Sequence, residues 1–231
     1  MSADIGRGRA RVDRLVDLLV ASDAIVLGDL VTKSGRPTPY FLDLGRISRG
    51  DRLATLGELY ADAIEEHFPE VDVVFGPAYK GITLAAATAV ALAARGRAIG
   101  VAFDRKEAKD HGEGGRLVGA ELGAGTRTVI VEDVTTAGTS VRASVPMLRD
   151  ERGALVVGLV VAVDRRERDA TASRSALDGL AEDLGLTAVA LATIDDVVER
   201  LVGRTDPAGR PLLAPEDVER IARHRAAHGA P

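Results

Sequence analysis

A chain of 231 residues suits one domain with at most a small appended element. Its formal net charge of −5 argues against nucleic acid as the main partner, and the absence of cysteine excludes a disulfide framework, thiolate zinc sites and a cysteine nucleophile. Hydrophobic residues make up 46% but aromatics only 3%, with no Trp, so the core must be built from Ala, Val, Leu and Ile.

Residues 1–20 carry scattered charges where a signal peptide would have a continuous apolar stretch, and the most apolar run, Leu84 to Ala94, is too short to span a bilayer. A cytoplasmic protein without a membrane partner is expected. Residues 9–21 place Val12, Leu15, Val16, Leu18 and Leu19 at helical spacing. Residues 25–45 hold two β-like pieces, IVLGDLV and PYFLDLG, around a Pro/Gly-rich turn, and read as a small antiparallel element apart from the main sheet. Residues 50–67 read as a second helix with Asp51 as its N-cap.

Strands and helices then alternate. Residues 71–76 read as a strand, 81–96 as an Ala-rich helix ended by Gly96, 98–103 as a strand and 104–116 as a loop. Residues 128–133 form the next strand, 139–150 a helix, 154–164 a long strand and 187–194 another, with closing helices at 195–202 and 215–227. This pattern predicts a single α/β domain over residues 1–231, with a central parallel sheet carrying helices on both faces. Residues 1–45 add a helix and a small N-terminal hood.

The stretch TVIVEDVTTAGTS, residues 128–140, carries the most chemistry. A buried parallel strand leads into two acids, Glu132 and Asp133, then a loop of small hydroxyl residues, then a helix. Ligands of open α/β sheets bind at that end of the strands. Gly138 permits positive φ, so successive backbone N–H groups can form an anion nest, and the following helix adds a positive dipole end. The hydroxyls of Thr135, Thr136, Thr139 and Ser140 add donors. This suits a phosphate. The two carboxylates need a different partner, either sugar cis-hydroxyls or magnesium. A ribose phosphate satisfies both sides, and a tight βα turn with an acid-rich N-cap region accounts for the same residues equally well. No GK[ST] follows a Gly-rich run, and no GxGxxG is present, so neither a Walker A nor a dinucleotide fingerprint applies.

This loop resembles the phosphoribosyl-diphosphate loop of the type I phosphoribosyltransferases. Three further segments narrow the match to orotate phosphoribosyltransferases: AFDRKEAKDHGEGGRLVG at 102–119 resembles their mobile catalytic loop, and TKSGRPTPYF at 32–41 and FGPAYKGI at 75–82 agree with it. The resemblance implies transfer of phosphoribose from phosphoribosyl diphosphate to orotate, with release of pyrophosphate, in the pathway that makes UMP. The transition state of such a reaction is oxocarbenium-like, and the work of the site is electrostatic positioning of two anions, without a covalent nucleophile.

The resemblance also assigns residues. Lys33, Tyr79, Lys80, Arg105, Lys106, Lys109 and His111 are implied to contact phosphoribosyl diphosphate, together with the loop from Glu132 and Asp133 through Val134, Thr135, Thr136, Ala137, Gly138 and Thr139 to Ser140. Lys106, Lys109, His111 and Asp133 are the implied catalytic group. Phe41, Leu42, Thr136 and Arg165 are implied to contact orotate, with Leu42 where a second Phe is common and Glu132 where Asp is commoner. A guanidinium fork suits the orotate carboxylate, although a strand-end Arg is ordinarily a solvated cap. Magnesium is implied, held mainly through substrate, with Glu132 and Asp133 as the candidate protein contacts. The lid is implied to reach a neighbouring subunit, hence a homodimer with shared sites.

Other readings weigh less. A purine substrate offers no carboxylate for Arg165. A non-catalytic sensor of the same fold would be expected to lack the charged lid. A receiver domain also pairs acids at a strand end, but the loop TTAGTS and the length disfavour it. His224 and His228 are four apart, a spacing open to zinc, but with no third ligand in sight they read as a surface helix. His67, at a helix end, reads as structural.

Overall fold

Runs of Val, Ile and Leu supply strands that are buried on both faces, which is the requirement of a parallel sheet. The computed structural model describes residues 2–32, 35–109, 115–135, 138–169 and 174–230. The elements are α1 (Ser2–Ala21), β1 (Ile25–Val31), β2 (Pro37–Leu42), α2 (Gly50–His67), β3 (Val73–Gly76), α3 (Lys80–Ala94), β4 (Gly100–Lys109), β5 (Gly115–Gly119), β6 (Arg127–Thr135), α4 (Thr139–Pro146), β7 (Leu155–Asp164), α5 (Ala176–Leu184), β8 (Thr187–Thr193), α6 (Ile194–Leu201) and α7 (Pro215–His228). The six-stranded sheet runs β5-β4-β3-β6-β7-β8. All its pairings are parallel except β4 with β5.

Alternation along the strands divides the core in two. Val129, Val131, Val160 and Ala162 face a core shared with α1, α2, α3 and α6. Ile130, Leu159 and Val161 face the opposite layer, built from Val141, Val145, Leu148, Leu177 and Leu180. Helices therefore cover both faces, as the alternation predicts. The hood is a separate antiparallel pair, with Val26 opposite Phe41 and Leu27 opposite Tyr40. Thr38, Tyr40 and Leu42 point inward from β2. Among the described residues no helix is long and apolar enough to cross a membrane.

Several expectations need correction. Asp51 is not an N-cap: Arg49 holds that position, and Asp51 lies in the first turn, paired with Arg49 at 3.1 Å. The described part of 104–116 is not loop but the end of β4 and the start of β5, paired antiparallel with Asp104 opposite Leu117. Its charges hide the strand pattern, because a sheet edge tolerates polar side chains that an interior strand would not. The helix expected at 139–150 ends as α-helix at Pro146, whose missing N–H breaks the ladder, and continues as a wider turn over Met147–Glu151. Periodicity marks no helix at α5, yet the segment carries local signals. Ser175 caps it by accepting from the Asp178 N–H, and Gly185 ends it in a left-handed conformation.

Candidate active site

The C-terminal ends of β3 and β6 meet at one sheet edge. At the end of β3 the chain turns tightly into α3. A methyl group on Gly76 would sit 1.9 Å from the Gly81 carbonyl oxygen, so only glycine allows this approach. Asp104 on β4 accepts a 2.6 Å hydrogen bond from the Ala78 N–H and pins the turn. Lys80 is thereby placed at the first position of α3. Its Nζ donates to Asp133 Oδ2 at 2.8 Å and lies 3.8 Å from Asp43 Oδ1. Burial pulls the Lys80 ammonium down, but the Asp133 bond and charge outweigh it and its pKa is raised.

The two acids ending β6 have different environments. The Asp133 carboxylate also accepts from the Val134 N–H at 2.7 Å. Glu132 accepts from the Ser140 hydroxyl at 2.6 Å and from the Asp133 N–H at 3.1 Å. Burial pushes the Glu132 carboxyl up, the Ser140 bond opposes this, and the neighbouring Asp133 charge adds to it. The phenol of fully buried Tyr60 donates to the Glu132 carbonyl at 2.6 Å and fixes the strand end from below. Gly138 takes the left-handed conformation at φ 62°, heading α4.

Lys80, Asp104, Glu132, Asp133, Gly138 and Ser140 line a cavity of about 570 Å³, together with Tyr79, Lys106 and Thr139. Lys106 Nζ stands 4.7 Å over the Tyr79 ring, a cation–π contact that brings β4 to the cavity. Two cations, Lys80 and Lys106, face three carboxylates, Asp104, Glu132 and Asp133. That excess of one negative charge needs further cations before a polyphosphate can settle there. Hard carboxylate oxygens suit magnesium. No group of three or more His, Cys, Asp or Glu among the described residues is arranged to hold a metal ion.

Between hood and sheet lies a second cluster. Arg165, just past β7, is buried and donates twice to one oxygen of Glu167, with Nη2 at 2.6 Å and Nε at 2.9 Å from Oε1. Its Nη2 also donates to Thr38 Oγ1 at 3.0 Å, and its guanidinium stacks 4.5 Å from the Tyr40 ring.

Residues 48–187 match the family model for the phosphoribosyl transferase domain. Among curated proteins, the chain is 39% identical over 224 residues to the orotate phosphoribosyltransferase of Bifidobacterium longum, covering 94% of this chain and 97% of that protein. The chain belongs to the orotate phosphoribosyltransferase family. Among solved structures, the Francisella tularensis orotate phosphoribosyltransferase superposes with a TM-score of 0.76 at 29% identity, covering 93% of this chain and 98% of that one. The Mycobacterium tuberculosis orotate phosphoribosyltransferase in complex with 5-phospho-α-D-ribosyl 1-diphosphate gives 0.61 at 25% identity, covering 81% and 99%.

Against that family pattern, the structure brings Tyr79, Lys80, Lys106, Glu132, Asp133, Val134, Gly138, Thr139 and Ser140 around one cavity. Arg105 lies in β4 beside Lys106 and has interactions of its own, Lys109 ends β4, and Thr135 ends β6. Lys33, His111, Thr136 and Ala137 lie outside the described residues. Four readings change. Ser140 donates to Glu132, so its hydroxyl is not free to serve only as a phosphate donor. Leu42 is buried within the core, since β2 alternation turns it inward with Tyr40, and it does not line the cavity beside Asp133. Phe41, its neighbour on the other face, is half-buried. Arg165 is no solvated strand cap, because its fork is already filled by Glu167. His224 is likewise not a surface residue: it is buried, with Nε2 at 3.0 Å from Glu167 Oε1. Sequence reasoning missed Tyr60, Thr38, Tyr40, Glu167 and His224. Only Glu167 stands close to its partner in the chain, two residues after Arg165, and no strand period sets that pairing because Arg166 between them is left-handed.

Proposed function

We propose that this chain transfers the 5-phosphoribosyl group from phosphoribosyl diphosphate to orotate, giving orotidine 5′-phosphate and pyrophosphate, in UMP synthesis in a reducing cytoplasm. The observation that carries the reading is the convergence of Lys80, Glu132 and Asp133 with the left-handed Gly138 and the start of α4 at one cavity. Backbone donors from Gly138 onward suit the 5-phosphate. Glu132 and Asp133 suit the ribose hydroxyls, with Tyr60 and Ser140 holding their strand end. Lys80 and Tyr79 suit the diphosphate, together with Lys33, Arg105, Lys106, Lys109 and His111. The catalytic share falls to Lys106, Lys109, His111 and Asp133, which balance charge as the C1–O bond to pyrophosphate breaks. Arg165 suits the orotate carboxylate, with Phe41 and Thr136 bordering the base site.

Magnesium fits the carboxylate donor set and would offset the negative excess of the cavity. Its coordination would come mainly from substrate oxygens, with Glu132 and Asp133 at hand. When bound it would supply charge neutralisation on the diphosphate. A homodimer in which the lid serves the neighbouring site completes the proposal.

The test follows orotate absorbance in the presence of phosphoribosyl diphosphate and magnesium, with uracil, hypoxanthine and adenine as controls. Loss of orotate signal that stops when the metal is chelated is the expected result. Turnover of a control base with none of orotate would overturn the substrate assignment. Full activity in excess chelator would overturn the metal.

A further inference from the structure

Arg165 is held by an unusually complete set of neighbours. Glu167 takes its Nε and Nη2 edge, Thr38 takes a second Nη2 bond, and the Tyr40 ring covers one guanidinium face. Among the described residues this leaves Nη1 as the amino group without a partner. Glu167 is itself gripped from two other elements. Its Oε2 accepts from Arg36 Nη1 in the hood at 3.1 Å, and its Oε1 meets His224 Nε2 of α7 at 3.0 Å. With two guanidinium groups against one carboxylate, the cluster keeps one positive charge. That surplus is what an anionic base would need, and the carboxylate decides which corner of Arg165 presents it.

The backbone supports the same arrangement. Arg166 takes a left-handed conformation at φ 52°, and its carbonyl accepts from Arg225 Nη1 and from the Ala230 N–H, each at 2.7 Å. Glu167 bridges to Gly229. The end of α7 therefore clamps the segment that carries Arg165 and Glu167. A guanidinium in water would rotate freely about its stem, and ordering it on binding would cost entropy. Here that ordering is already done.

We propose that Glu167 and His224 are positioning residues for orotate: Glu167 fixes the Arg165 guanidinium so that its Nη1 corner meets the substrate carboxylate, and His224 holds Glu167 in place from the C-terminal helix. The proposal rests on the reading of Arg165 as the orotate-binding residue, and the experiment separates the two.

Steady-state constants for both substrates are measured for wild type and for Glu167→Gln, Arg165→Ala, the double variant, His224→Leu and His224→Gln, below the melting temperature of each. Glu167→Gln should raise the orotate KM about tenfold, the value of one charge-assisted bond, and leave that for phosphoribosyl diphosphate within about twofold. Added to Arg165→Ala, the same change should move the orotate KM by less than about twofold, because residues acting through one contact do not add. His224→Leu should raise the orotate KM, and His224→Gln, which keeps an N–H donor, should restore it. An unchanged orotate KM in Arg165→Ala would sink the reading of Arg165 itself. A large effect there, with Glu167→Gln silent, additive, or equal on both substrates, would overturn the positioning proposal alone. If Glu167→Gln does not fold, the histidine pair decides: equal KM values for Leu and Gln at 224 would overturn it.

Discussion

Replacing Arg165 by Ala should destabilise the fold as well as weaken orotate binding, by an amount the cluster lets us work out. The Arg165 and Glu167 side chains are 4% and 9% exposed. Deleting one partner of a buried ion pair costs about 3–5 kcal/mol, because the other charge stays buried. Glu167 would retain Arg36 and His224, which argues for the low end, about 3 kcal/mol. For a domain of this size each kcal/mol moves Tm by about 2–4 °C, so a fall of about 6–12 °C is expected. The pH dependence follows from Glu167. Burial pushes its carboxyl up, but the Arg165 charge, the His224 bond and the Arg165 bonds together hold it below the ordinary carboxylate range. A depressed folded-state pKa gives stability that is present above the unfolded value and lost as pH falls through the folded one. The gap in Tm between wild type and Arg165→Ala should therefore be full at neutral pH and close on acidification through and below the carboxylate range. Calorimetric scans across pH give the measurement. A Tm change under about 2 °C, or a gap that widens in acid, would refute the reasoning.

Glu132→Gln should trade activity for stability. Burial raises this carboxyl, so the fold favours its protonated form and carries a cost for the charge at neutral pH that vanishes below the unfolded value. The variant should melt about 1–4 °C higher than wild type at neutral pH, with the gain fading in acid, while kcat/KM falls; a lower Tm at neutral pH would contradict this. Lys80→Met should change stability by no more than about 1 kcal/mol, since the lysine is half exposed. Its effect should fall on the KM for phosphoribosyl diphosphate, by about tenfold or more, and an equal rise for orotate would remove Lys80 from the diphosphate. With sites shared in the proposed homodimer, Lys109→Ala and Asp133→Asn should each be nearly inactive alone. After dissociation and reassociation of an equal mixture, about half the dimers are mixed with one intact site each, so activity should recover to roughly a quarter of wild type. No recovery despite proven subunit exchange would mean that each lid closes over its own site or that the protein is not an obligate sharer of sites.

What could be read from the sequence is what depends on neighbours along the chain. Strand β6, the acid pair, the hydroxyl loop and Gly138 stand within fourteen consecutive residues, and strand period, glycine freedom and helix dipole act over that range. The hood and the helices on both faces follow from the same short-range patterns. The edge hairpin of β4 and β5 escaped because charged side chains on an exposed edge lack the alternation that marks a half-buried strand. The relationships within the site depended on the tertiary fold. Lys80 and Asp133 are 53 residues apart, Glu167 and His224 are 57 apart, and Arg165 and Thr38 are 127 apart. No local rule couples positions at such distances, because a polar side chain's partner is set by which elements the hydrophobic core brings together. His224 looks like one more polar residue on an amphipathic helix. Only the packing of α7 against β2 and the segment that carries Glu167 takes it out of solvent and turns it toward a buried carboxylate.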